Sequence, residues 1–253
     1  MKHRRIASVA VGLGLLALGQ AGVASGAEIK VLCSNGIKAV VEDLVPKFER
    51  ETKHKVVVTY GLAMALKRRI DAGEPFDVAI LTPQAIDEAI KSGTIVTETR
   101  TPIARVGLAI AIRSGAGKAD IATVESFKRA LLNAKSIAYA KEGASGVAFE
   151  AQIQRLGIAG DLKSKSKLTA TGEEVSQSVL RGESEFGVLP VSEILPVKGI
   201  EVLAPFPADA QTYIVMVAGV GQKASQAAAG RDLIKFLTAP AALPVIKAKG
   251  MER

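Results

Sequence analysis

Two stretches of the 253-residue chain carry residue types that hold an anion with neutral groups. In residues 29–41, IKVLCSNGIKAVV, a short apolar run of Ile29, Val31 and Leu32 gives way to Ser34, Asn35 and Gly36, after which a helical pattern continues through Leu44 and Phe48. A strand that breaks into a helix at such a loop presents a hydroxyl, free backbone N–H groups and the positive end of a helix dipole at one point. In an open α/β sheet that loop lies at the carboxyl end of a strand, where ligands bind. Ser34 has a second use open to it, as a cap on the helix that follows. The other stretch, Lys141-Glu142-Gly143-Ala144-Ser145-Gly146, joins a strand over residues 136–140 to a helix over residues 147–156, and is either a second anion seat or a plain connector.

The scarcity of histidine and cysteine removes most other chemistry. His3 sits at the extreme N-terminus and His54 in the charged run Arg50-Glu51-Thr52-Lys53-His54-Lys55, so neither a His-rich metal site nor a histidine-based hydrolase triad is expected. No metal and no cofactor is implied. Cys33, the single cysteine, allows no internal disulfide and reads as a small core residue at the end of the first strand. What remains is binding, or chemistry done by a carboxylate, a lysine or a hydroxyl. The formal charge is +8, and no dense Lys/Arg tract interleaved with aromatics appears, which argues against a nucleic-acid partner.

The elements that must position these loops alternate along the chain. Residues 1–27 have the three parts of a secretory leader: Lys2, Arg4 and Arg5, an apolar run over 6–18, then small residues up to Ala27. Loss of those three cations, and of no acid, leaves residues 28–253 at +5. Strands are predicted at Val56-Val57-Val58-Thr59-Tyr60 and over residues 76–81, with helices over 65–72 and 84–91 that stop at Gly73 and Gly93. The continuous run VGLAIAI, residues 106–112, reads as a strand buried on both faces. Further strands fall near Leu168, at Phe186-Gly187-Val188-Leu189, over 200–203 and over 213–218, and helices over 224–237 and 241–248 close the chain. This alternation predicts an α/β fold with a mostly parallel sheet covered on both faces.

The order of these features resembles the molybdate-type periplasmic substrate-binding proteins of ABC importers. The likeness is carried by Ser34-Asn35, Phe48, Val56-Val57-Val58 with Tyr60-Gly61, Ile70-Asp71-Ala72-Gly73, Phe76-Asp77-Val78, and the ending Leu233-Ile234-Lys235-Phe236-Leu237-Thr238 with Gly250. It implies a two-lobe type II periplasmic-binding fold, each lobe a mostly parallel sheet with helices on both faces. One lobe would take residues 28–104 and 208–253, the other 105–207. It also implies a monomer with a small anionic ligand and a membrane ABC permease as partners.

Carried over position by position, the family's ligand contacts fall on Ser34, on Gly61-Leu62-Ala63, on Ser145 and Gly146, on the backbone of Val175, and on Pro190. Leu62 and Ala63 stand where the family has serines, and Pro190 where it has a tyrosine. Two oxyanion donors are therefore missing, which speaks against molybdate. Compensating charge would come from Lys67, Arg68, Arg105 or Lys141, and a further hydroxyl from Thr82. The leading expectation is capture of an organic acid or an oxyanion for import. The competing one is an exported, cofactor-independent isomerase resembling aconitate isomerase, with Lys141, Glu142 or Glu193 as general base. A sensory ligand-binding role is a third.

Overall fold

A computed structural model describes residues 26–253, so the leader read over residues 1–27 lies, but for its last two residues, outside the described part. In chain order the elements are β1 (Glu28–Ser34), α1 (Lys38–Thr52), β2 (Lys55–Gly61), α2 (Ala63–Asp71), β3 (Val78–Leu81), α3 (Pro83–Lys91) and β4 (Thr101–Arg113). They continue with α4 (Val124–Asn133), β5 (Ile137–Ala140), α5 (Ala144–Arg155), α6 (Ala159–Leu162), β6 (Ser166–Thr169), α7 (Gly172–Leu180), β7 (Phe186–Pro190) and α8 (Val191–Ile194). The chain then adds β8 (Ile200–Pro205), β9 (Tyr213–Val220), α9 (Ala227–Thr238) and α10 (Leu243–Ala248).

The strands form one sheet in the order β2-β1-β3-β9-β4-β7-β5-β6, with β8 also on β4. Pairings β1–β2, β1–β3, β5–β6 and β5–β7 are parallel, and every antiparallel pairing involves β4 or β9. β4 joins the two halves: Thr101 to Gly107 pair with β9, and Leu108 onward pairs with β7 and β8. It begins at Thr101, earlier than its apolar run indicates, because the ladder to β9 holds the polar residues that precede the run.

Alternation along β1 places its side chains on two faces. Ile29, Val31 and Cys33 pack under α1 against Val40, Leu44 and Phe48, while Leu32 points to the other face with Leu66 and Ile70 of α2. Burial pushes the Cys33 thiol far above its usual range, which leaves it inert as a nucleophile. In the other half, Ala109 and Ala111 of β4 and Ala138 and Ala140 of β5 face Val175 and Val179 of α7, so the short alanine side chains let this helix lie close to the sheet.

Asp77, just before β3, ties three segments together. Its carboxylate accepts hydrogen bonds from the Lys30 and Gln226 backbone N–H groups, both at 2.8 Å, and from Ser225 Oγ at 3.1 Å. Asp77→Ala would leave these donors unpaired in a site where Asp77 itself is 1% exposed, and is expected to cost about 2 kcal/mol in urea unfolding. Wild-type stability in that variant would show that water replaces the carboxylate.

Candidate functional site

The carboxyl ends of β1, β2, β5 and β7 all open towards a small, partly open cavity of about 30 Å³. Its wall is built by Ser34, Asn35 and Gly36 after β1, by Leu62 and Ala63 at the start of α2, and by Gly143, Ala144 and Ser145 at the start of α5. Ala140 at the end of β5, Gly172 at the start of α7, Pro190 and Glu193 around α8, and Ile214 and Met216 of β9 complete it. The first N–H groups of a helix have no acceptor inside that helix, so several helix beginnings at one cavity supply donors and positive partial charge without a cation.

Ser34, Leu62, Gly143 and Pro190 stand at the cap positions of the helical turns around the cavity; only Ser34 among them has a side chain that could cap, and it makes no capping bond. At the start of α7 the Thr171 hydroxyl does cap, accepting from the Glu174 N–H at 3.2 Å. Of the two readings open for Ser34, the side-chain cap is not the one observed: it makes no capping bond, and the residue, 7% exposed, lines the cavity. Ser145, 6% exposed, lies within the first turn of α5, which starts at Ala144 rather than at Val147. A run of small residues carries no apolar period, so this helix start was not readable from the sequence.

Among the described residues, Glu193 is the single ionisable side chain in the cavity wall. Its carboxyl lies between the start of α7 and the first loop: a methyl added at Gly172 would overlap Oε2, and one added at Gly36 would come within 3.8 Å of Oε1. Desolvation raises its pKa to about 7, with neither a hydrogen bond nor a neighbouring charge contributing. Beyond it lies a second pocket of about 310 Å³ that shares Asn35, Gly172 and Glu193 with the first and adds Lys38, Glu42, Glu173 and Gln177. The Ser192 hydroxyl, next to Glu193, donates to the Gly36 carbonyl at 2.7 Å and fastens α8 to the first loop.

Residues 29–252 match the family model described as bacterial extracellular solute-binding protein. The chain belongs to this family. Among relatives of this solute-binding protein, an aconitate isomerase from a Pseudomonas species is 28% identical over 230 residues, covering 88% of this chain and 87% of the relative. The molybdate-binding protein ModA of Azotobacter vinelandii is 29% identical over 254 residues, covering 96% and 95%. The solved periplasmic molybdate-binding protein of Azotobacter vinelandii superposes with a TM-score of 0.78 at 18% identity, over 89% of this chain and 99% of that one. The molybdate-type likeness and the periplasmic-binding-protein fold expected from the sequence both hold.

Within this solute-binding protein the residues singled out in the sequence divide into two groups. Ser34, Asn35, Leu62, Ala63, Ser145 and Pro190 converge on the cavity. Gly61 and Gly146 are their chain neighbours, outside the wall itself, and Val175 is fully buried with its N–H already given to the Thr171 carbonyl at 3.3 Å.

Lys67, Arg68, Arg105, Lys141 and Thr82 do not line this cavity. Arg68 pairs with Glu142 at 3.3 Å on the surface, which also occupies that carboxylate. Lys67 is buried against Asp71 at 2.6 Å. Arg105 pairs with Glu252 at 3.3 Å and stacks over the Tyr213 ring, and Lys141 is exposed. Thr82 leads into α3, while Ile214 and Met216 of β9 occupy the wall on that side. Glu193, one of three candidate bases in the sequence, is the one that the fold brings to the site.

Proposed function

We propose that this solute-binding protein is exported to the periplasm, captures a compact anion in the 30 Å³ cavity, and delivers it to a membrane ABC permease. The proposal keeps the division into one lobe of residues 28–104 and 208–253 and another of residues 105–207, with the cavity between them. The observation that carries it is the convergence of two serines and several helix beginnings on one small cavity with, among the described residues, no cationic side chain in its wall. Neutral donors arranged around a buried anion satisfy each of its oxygens, where an unpaired one would cost about 1–3 kcal/mol. A carboxylate ligand would instead call for a bidentate Arg, and Arg68 and Arg105 are engaged elsewhere. By the measure on which one water takes about 10–15 Å³, the cavity has room for about two waters. That favours a tetrahedral oxyanion over a di- or tricarboxylate.

Thermal melting of residues 28–253 against sulfate, phosphate, molybdate, tungstate and small carboxylates tests this. Ligand at about a hundred times its dissociation constant adds about 2.7 kcal/mol of stability, so one or more oxyanions should raise the melting temperature by several degrees. Shifts with tricarboxylates alone would overturn the compact-anion reading.

A second reading, the cofactor-independent isomerase, is favoured by Glu193 and by the similarity to the Pseudomonas aconitate isomerase. A carboxylate whose pKa lies near 7 suits removal of a proton from one carbon and its return to another at neutral pH. A tricarboxylate would require the lobes to open until the two pockets flanking Glu193 merge. Interconversion of cis- and trans-aconitate, lost in Glu193→Gln, would decide for this reading; absence of turnover in the wild-type protein decides against it.

A further inference from the structure

Capture of an anion leaves a carboxyl group to be explained. Glu193 lines the same cavity as Ser34 and Ser145, and among the described residues no cation shares that wall and no neighbouring charge or hydrogen bond acts on its acid group. The other charged groups near it belong to the adjoining 310 Å³ pocket: Lys38 and Glu42 of α1, paired with each other at 3.8 Å, and Glu173 of α7. An ionised carboxylate facing a fully ionised oxyanion with no proton between them is repulsive, and at a half-buried site water screens the repulsion only in part. One proton between the two acids turns repulsion into a short O–H···O⁻ hydrogen bond.

We propose that Glu193 reads a proton on the ligand, so that at neutral pH the cavity selects an oxyanion that retains an acidic proton, of the monohydrogen phosphate or phosphonate class, over fully ionised sulfate or molybdate. This deepens the anion-capture reading and rests on it. Such a ligand brings the shared proton with it. Sulfate does not, and it binds only when Glu193 has first taken a proton from water. Because burial holds the Glu193 carboxyl near 7, that protonated fraction is large at pH 6 and small at pH 8.

Calorimetric titration of wild type and Glu193→Gln with inorganic phosphate and with sulfate, at pH 6 and pH 8, tests the proposal. Wild type should lose about tenfold in sulfate affinity between the two pH values, as linkage to one group titrating near 7 requires, and should prefer phosphate by at least about tenfold at pH 8. Glutamine stands in for the protonated acid, so the variant should bind sulfate equally at both pH values and bring the two anions within about threefold of each other. A pH-independent sulfate affinity in wild type overturns the proton-reading role while anion capture stands, and this arm needs no variant. Failure of phosphate, sulfate and molybdate alike to bind folded wild-type protein overturns anion capture itself.

Discussion

Replacing Glu193 by glutamine should make the unliganded protein more stable than wild type at pH 8, by up to about 3 kcal/mol, while leaving the two equal at pH 4. The carboxyl titrates near 7 in the folded chain and near 4.5 when its environment is lost. Between those values the folded state binds the proton that the unfolded state has released, so stability falls as pH rises through this window, and the loss is complete above about 7. The figure is an upper bound because the cavity admits some solvent to the carboxyl. Urea midpoints at pH 4, 6 and 8 give the difference between the two proteins, in which all other titrating groups cancel. Parallel profiles would mean that Glu193 is solvated in the absence of ligand.

Gly146→Ala should be the most damaging single methyl in the site. A Cβ at residue 146 would overlap the carbonyl oxygen of Ala140 and come within 3.3 Å of the Tyr139 ring, so α5 would have to lift off the end of β5. Since the obstacle is backbone, no rotamer change relieves it, and the expected cost is about 3 kcal/mol or more. Ser145 moves with the same turn, so anion affinity should fall with stability. Far-UV circular dichroism, urea unfolding and titration on one sample read both effects, and a variant with wild-type stability and affinity would contradict the packing described here.

Most of the fold was legible because its elements are short and each shows its own period. The strand, Ser-Asn-Gly loop and helix of the first unit is read correctly down to Ser34, since alternation, a turn cluster and a 3.6-residue pattern follow one another without overlap. The first turn of α5 was hidden by the absence of apolar residues in Ala144-Ser145-Gly146.

The electrostatics of the site were far less legible. Arg68 and Arg105 meet acids 74 and 147 positions away in the chain, and no local pattern announces partners at that distance. Glu193 follows a strand end like several other acids in the sequence. Only the three-dimensional approach of α8 to the loop at Gly36, through Ser192, carries it into the cavity.

The most direct test of the account is calorimetric titration of residues 28–253, wild type and Ser34→Ala/Ser145→Ala, with the oxyanion that gives the largest thermal shift. Each hydroxyl is assigned about one hydrogen bond to a charged ligand, so the double variant is expected to bind about a hundredfold more weakly with an almost unchanged melting temperature in the absence of ligand. Unchanged affinity would place the anion elsewhere and contradict the assignment of this cavity.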